Sequence, residues 1–146
     1  MFNLHSIRDI RQKFRSPDVY EIYSACMYHP TLEKFCEKAD LLVHNDCVKL
    51  IGLFEKEELL GVCAVKFLNP SIMELEGIAV KPDCRKQGVG RRMIQYLLQQ
   101  FPAKTMIAET DDDAVKFYQS CGFETVKFIR EYHGEKSTRY RCTWHR

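Results

Sequence analysis

The sequence predicts a single α/β domain: a mixed sheet covered by helices on both faces. Three observations carry that expectation. Residues 16–43 repeat apolar side chains at helical spacing, residues 47–80 change to short apolar and β-branched runs, and from residue 89 onward helix-like and strand-like segments alternate. The chain has 146 residues, of which 45% are hydrophobic and 12% aromatic. That is enough to bury one sizeable core and too little for two.

Each element has its own signal. Residues 2–12 admit either a strand or a helix. In "SPDVYEIYSACMYH" Ser16 offers a cap, Pro17 takes the first helical position, and Val19, Ile22, Tyr23 and Cys26 share one face. After His29-Pro30, Thr31 caps a second helix whose face is Leu32, Phe35, Cys36, Ala39 and Leu42. The runs "CVKLIGLFE" and "LLGVCAVKFL", joined by "KEE", suit an antiparallel hairpin. Pro70 and Ser71 break the chain before a third strand, "IMELEGIAV". A helix then places Val89, Met93, Ile94, Leu97, Leu98 and Phe101 on one stripe and stops at Pro102. "KTMIAET" is a short strand, and "DDDAVKFYQSCG" a helix with an acidic first turn and a glycine stop at Gly122. A terminal hairpin follows, turning over His133 to Ser137.

Composition narrows the function classes. Lysine and arginine number 22 against 20 acidic residues, a net charge of +2, far from the strong basic excess of nucleic-acid binders. No nucleic-acid partner is expected. Seven cysteines (Cys26, Cys36, Cys47, Cys63, Cys84, Cys121, Cys142) are an odd number with no C-x-x-C pair and no metal-ligand spacing to the five histidines. They fit a reduced compartment and no metal. The N-terminal residues "MFNLHSIRDIRQKFR" are charged where a leader would be apolar, and no run approaches the roughly 20 apolar residues of a membrane span. A cytoplasmic protein without a membrane partner, monomeric or a homodimer, is the expectation.

The chemistry concentrates in "VKPDCRKQGVGRRM". Gly88 and Gly90 remove side chains at a strand-to-helix junction, while Arg85, Lys86, Arg91 and Arg92 surround the same amides with positive charge. Helix N-termini bind anions through their unpaired amides and the positive end of the helix dipole. The string is no Walker A loop, which needs G-x-x-x-x-G-K-[ST]. It is no dinucleotide fingerprint either, because Met93 stands where the third glycine belongs.

What remains is R-x-x-G-x-G, Arg85 to Gly90, after a strand ending in Ile78-Ala79-Val80, followed by "AVKFYQSCGF" from Ala114 to Phe123. Over about residues 47–146 this resembles the GCN5-related N-acetyltransferase (GNAT) superfamily. The resemblance implies a mixed, mostly antiparallel central sheet flanked by helices, with one acyltransferase domain over residues 1–146. It also implies acetyl-CoA as the acyl donor, its pyrophosphate cradled by Arg85, Lys86, Gln87, Gly88, Val89, Gly90 and Arg91. Main-chain groups of Ile78, Ala79 and Val80 would pair with the pantetheine arm, and Asp111 and Phe117 would also lie in the cofactor-binding set. Asp111 departs from the family, where asparagine is usual, and a carboxylate lacks the amide's donor.

Acyl transfer to an amine requires a proton acceptor, stabilisation of the thioester oxygen, and protonation of the departing thiolate. Tyr118 in "KFYQSCGF" resembles the family's proton donor to the CoA sulfur; as a core aromatic it would only need a hydrogen-bond partner. A main-chain N–H near Ile78 or Ala79, exposed by a splay or bulge near Gly77, is the family's oxyanion donor. Glu74 and Glu76, two apart on an otherwise apolar strand, point to the same face unless a bulge intervenes. Aligned on Arg85 to Gly90, the resemblance puts Glu74 at the general-base position of histone-acetylating members and Glu76 at an acidic position common in bacterial small-molecule and protein acetyltransferases, so either is a candidate base. A carboxylate of ordinary pKa, about 4.3, is a poor acceptor from an ammonium near 10.4, so the transfer runs through water or needs a raised carboxylate.

The resemblance therefore implies an acetyl-CoA-dependent N-acetyltransferase acting on a primary amine by direct attack in a ternary complex. The amine belongs to a small molecule or a protein. Tyr28, His29, Tyr132 and His133 sit on the segments that would select it. The alternative is a non-catalytic acyl-CoA-binding sensor or interaction domain with the same fold.

Overall fold

The computed structural model describes residues 5–146. Seven strands lie in the order β1-β2-β3-β4-β5-β7-β6. They are β1 (His5–Asp9), β2 (Val48–Glu55), β3 (Glu58–Asn69), β4 (Ile72–Val80), β5 (Thr105–Thr110), β6 (Glu124–Tyr132) and β7 (Glu135–His145). The helices are α1 (Pro17–Tyr23), α2 (Leu32–Val43), α3 (Val89–Gln100) and α4 (Val115–Ser120). The result is a mixed α/β fold whose sheet is mostly antiparallel: β1–β2, β2–β3, β5–β7 and β6–β7 run antiparallel, and β4–β5 parallel. By contact density the chain divides into two compact units, Met1–Lys66 with Glu76–Phe101, and Phe67–Leu75 with Pro102–Arg146.

In the first unit the expected helices begin where their caps stand. The Ser16 hydroxyl accepts the Val19 amide at 3.4 Å, with Pro17 opening α1. The Thr31 hydroxyl accepts the Lys34 amide at 3.1 Å and opens α2. Residues Ser24–Cys26 tighten into a 3-10 turn and do not continue α1. Residues 5–9, undecided from sequence, form β1 by pairing with β2, from His5 opposite Glu55 to Asp9 opposite Ile51. Val19, Ile22, Tyr23, Phe35, Ala39 and Leu42 meet Leu50, Val62, Ala64 and Ala79 in one buried cluster. Its centre is aromatic. Phe14 lies edge-on to Tyr23 at 5.3 Å and stacks on Phe35 at 6.1 Å, and emptying either Phe site would cost about 3–5 kcal/mol. Leu32, expected on the buried face of α2, is instead exposed; it starts the helix, where the core has not yet been reached.

Successive strand residues face opposite ways. Val62 and Ala64 of β3 face α1 and α2, whereas residue 61 faces α3: a β-carbon there would stand 2.8 Å from Val89 and Met93. Helices therefore cover both faces within this unit.

In the second unit, β4 pairs with β5 from Ile72 opposite Thr105 to Glu74 opposite Ile107. β5 pairs with β7, and β7 with β6. Met73, Met106, Ala108, Val115, Tyr118, Phe123 and Cys142 are among its buried side chains. The terminal hairpin turns over His133 and Gly134 alone, with φ of 49° and 82°, and β7 begins at Glu135. That two-residue turn matches the twist of the strands, and it replaces the longer loop expected over 133–137. Residues 111–114 are also not helical: α4 starts at Val115.

Candidate functional site

The glycine turn sits at the N-terminus of α3, in the first unit. A 3-10 turn, Pro82–Cys84, follows β4, and the chain then passes through Lys86 at φ 66° and Gly88 at φ 82°. Gly88 is the N-cap residue of α3, its carbonyl accepting the Arg92 amide at 3.0 Å. Having no side chain, it cannot cap the helix as Ser16 and Thr31 cap theirs. A β-carbon at Gly88 would meet nothing within 4 Å, so the left-handed backbone and not crowding demands glycine here. Arg85, Lys86, Gln87 and Gly88 are exposed, while Val89 and Gly90 are buried as the helix begins. The Arg85 Nε donates to the Val80 carbonyl at 3.5 Å, and the Gln87 amide to the Asp83 carbonyl at 3.4 Å.

β4 leads into this turn. Glu76, Gly77, Ile78, Ala79 and Val80 lie beyond the register that β4 shares with β5, which ends at Glu74. The strand runs unbroken from Ile72 to Val80. Burial alternates along it, with Met73 and Leu75 buried and Glu74 and Glu76 half-buried.

The cofactor set predicted from residues 78–80 and 85–91 is thus brought together on one strand, one turn and one helix end. Glu76 lies in the same unit. Glu74, Asp111, Phe117 and Tyr118 lie in the other.

There, Tyr118 is buried in α4, edge-on to Phe123 at 5.4 Å and to Phe117 at 5.3 Å. Phe117 is half-buried. The Asp111 carboxylate accepts the amides of Asp113 and Ala114, both at 3.0 Å. An acceptor is what those two amides require, so the aspartate serves the turn that precedes α4. Asp112 accepts the Tyr140 hydroxyl at 2.8 Å, and that bond, ahead of desolvation, raises the tyrosine above its ordinary range.

Sequence reasoning missed a cluster on the far side of β4. Tyr23, read only as a core residue of α1, aims its phenol at Gly77: a β-carbon there would stand 2.3 Å from the hydroxyl. Burial above all, then the neighbouring Cys26, Cys63 and Glu76, push this phenol well above the usual tyrosine range. A glycine interrupting an apolar strand was the available signal, since it often marks a close approach.

Among the described residues, no group of three or more His, Cys, Asp or Glu side chains is placed to hold a metal, and no helix is long and apolar enough to cross a membrane. A cleft of about 440 Å³ in the first unit is lined by Arg8, Arg11, Gln12, Lys13 and Phe54. Two of its cations have structural work: Arg8 pairs with Glu57 and covers the Phe54 ring, and Arg11 donates to the carbonyls of Val43 and Val48.

Comparison with known proteins gives a consistent picture. The model of the acetyltransferase (GNAT) family matches residues 9–123, reaching further toward the N-terminus than the motifs alone suggested and stopping before the terminal hairpin. An uncharacterized N-acetyltransferase from the lysA 3′ region of Bacillus methanolicus is 30% identical over 67 residues, 46% of this chain and 54% of that protein. The alignment thus spans about half the length of that relative. The ribosomal-protein-S18-alanine N-acetyltransferase of Escherichia coli shares the fold with a TM-score of 0.74 at 18% identity, over 95% of this chain and 92% of that one. A GNAT family acetyltransferase from Elizabethkingia anophelis with acetyl-CoA bound superimposes with a TM-score of 0.71 at 16% identity, over 99% of both chains. A spermidine N-acetyltransferase of Vibrio cholerae does so at 0.72 and 15% identity, over 97% of this chain and 94% of that one.

Proposed function

We propose that this chain, which belongs to the acetyltransferase (GNAT) family, transfers the acetyl group of acetyl-CoA to a primary amine by direct attack in a ternary complex. One observation carries the reading: the family's R-x-x-G-x-G string stands at an α3 N-terminus whose cap residue, Gly88, has a left-handed backbone and no side chain. A diphosphate supplies the acceptors that those first amides need. The cations of Arg85, Lys86 and Arg91 add long-range attraction without dictating geometry.

From that anchor, the pantetheine arm runs back along the main chain of Ile78, Ala79 and Val80. That segment of β4 lies beyond the β5 register, which supports its use as an edge for an extended ligand. A main-chain N–H of the same strand receives the developing negative charge on the thioester oxygen. The amine nitrogen attacks the carbonyl carbon after its ammonium gives a proton, through water, to Glu74 or Glu76. The C–S bond then breaks, the Tyr118 phenol protonates the leaving thiolate, and the second proton of the attacking nitrogen, lost as the amide forms, returns through water to the Tyr118 oxygen. Acidic groups suit an acceptor that arrives as a cation. The solved relatives named for an alanine of a ribosomal protein and for spermidine both act on amines, which supports an amine acceptor of unspecified size.

The test is release of free CoA thiol from acetyl-CoA across a panel of amines: polyamines, amino sugars, amino acids and peptides with free N-termini. Amine-dependent release at any member supports the enzyme. Acetyl-CoA binding without release to any amine would favour the non-catalytic acyl-CoA-binding alternative.

A further inference from the structure

One side chain of the first unit packs directly against the main chain of β4. The Tyr23 ring is held on its own side by Phe14 and Phe35 and is only 2% exposed, so its phenol has one direction to point. That direction is Gly77, where a β-carbon would stand 2.3 Å from the hydroxyl and 2.7 and 2.8 Å from two ring carbons. Three residues on, Cys26 lies in the 3-10 turn that ends α1. Its thiol donates to the Tyr23 carbonyl at 3.2 Å, tying the turn back to the residue that carries the phenol. Nothing in the proposed chemistry uses the Tyr23 side chain, yet it bears on Gly77, the residue immediately before the proposed donor-binding segment.

We infer that Tyr23 is a positioning residue for acyl transfer: its phenol, packed where residue 77 would carry a side chain, fixes the Gly77–Ile78 main chain at the acyl end of the donor. The inference rests on the reading that Ile78, Ala79 and Val80 line acetyl-CoA. Under that reading affinity and reactivity separate along the strand. The turn at residues 85–91 grips the diphosphate, and Gly77–Ile78 sets the thioester relative to its attacking amine. A small misplacement there lowers the rate with little loss of binding.

Tyr23→Phe keeps the ring packing and removes the hydroxyl. The expected result is a kcat lower by about tenfold, an acetyl-CoA Kd by calorimetry within about twofold of wild type, and faster hydrogen exchange at the Ile78 amide of the donor-free protein. The Leu50 amide, on β2 between β1 and β3, keeps its protection, which a general loss of stability would not allow. Gly77→Ala is expected to lower kcat at least as far, and Tyr23→Leu in the same chain to restore part of the loss by making room. Wild-type kcat in Tyr23→Phe, or equal exchange acceleration at Ile78 and Leu50, overturns the inference. Should Gly77→Ala not fold, the Tyr23→Phe comparison decides alone. A wild-type chain that binds no acetyl-CoA would instead sink the functional reading, and Ile78 exchange, measured without donor, would still report whether Tyr23 holds the strand.

Discussion

Gly88→Ala isolates the backbone requirement of the proposed anion site. At φ 82°, with nothing within 4 Å of where a β-carbon would stand, an alanine meets no side chain and suffers only the left-handed backbone. That costs about 1–2 kcal/mol for a non-glycine residue, offset by about 0.4–1 kcal/mol from restricting the unfolded chain. The net destabilisation is therefore about 1 kcal/mol, a drop of roughly 3–4 °C in Tm for a chain of this size. The larger effect falls on binding. If residue 88 relaxes toward right-handed φ, the amides that follow turn away from the diphosphate, and losing one hydrogen bond to a charged group costs about 1.5–3 kcal/mol. Acetyl-CoA should bind about 10- to 150-fold more weakly. Gly88→Asn is the control: asparagine is bulkier than alanine but tolerates left-handed φ better, so it should fall between glycine and alanine in both thermal melting and calorimetry. Alanine and asparagine variants that bind acetyl-CoA as wild type does, or asparagine weaker than alanine, would refute the reasoning.

Other perturbations address separate parts of the account. Tyr118→Phe should lower kcat by about 10²- to 10⁴-fold, the usual contribution of a general acid, while Kd for acetyl-CoA changes little; equal loss in both would assign Tyr118 to packing. Thr31→Ala removes the cap of α2 and should cost about 1 kcal/mol in denaturant unfolding, with amine-dependent thiol release unchanged at room temperature. Tyr23 gives a pH signature. Its folded pKa lies well above the ordinary 10.0, so above pH 10 the unfolded state binds fewer protons than the native one and stability falls as pH rises. Tyr23→Phe should flatten that alkaline decline in urea titrations spanning about pH 9–11, and an unchanged slope would show that the phenol titrates alike in both states.

The sequence foretold local structure where one side chain decides it. β4 occupies the whole of "IMELEGIAV", because proline and serine stop the chain before it and Pro82 after it. The caps at Ser16 and Thr31 are likewise local chemistry, whereas Gly88, read as removing a side chain, is required by a left-handed backbone that the reading did not include. Misplaced boundaries came from competition between two local options. Asp111, Asp112 and Asp113 look like an acidic first turn, yet the Asp111 carboxylate takes the next two available amides, and the helix waits until Val115. His133 adopts positive φ beside Gly134, a conformation that pairing of the flanking strands imposes and a polar loop reading overlooks. β1 depends on its pairing with β2, roughly forty residues further along the chain, and no local pattern decided it. The same holds for the candidate site: residues 85–91 were legible because motif and junction coincide, whereas the pressure of Tyr23 on Gly77 exists only after α1 has packed on the sheet.

The most direct test of the central claim is an amide proton–nitrogen NMR titration of the chain with coenzyme A. If the diphosphate rests on the first amides of α3 and the pantetheine on β4, the largest shifts fall at residues 87–91 and 78–80, and Gly88→Ala moves their midpoint to about 10- to 150-fold higher ligand. Shifts concentrated elsewhere, or none at saturating ligand, would contradict it.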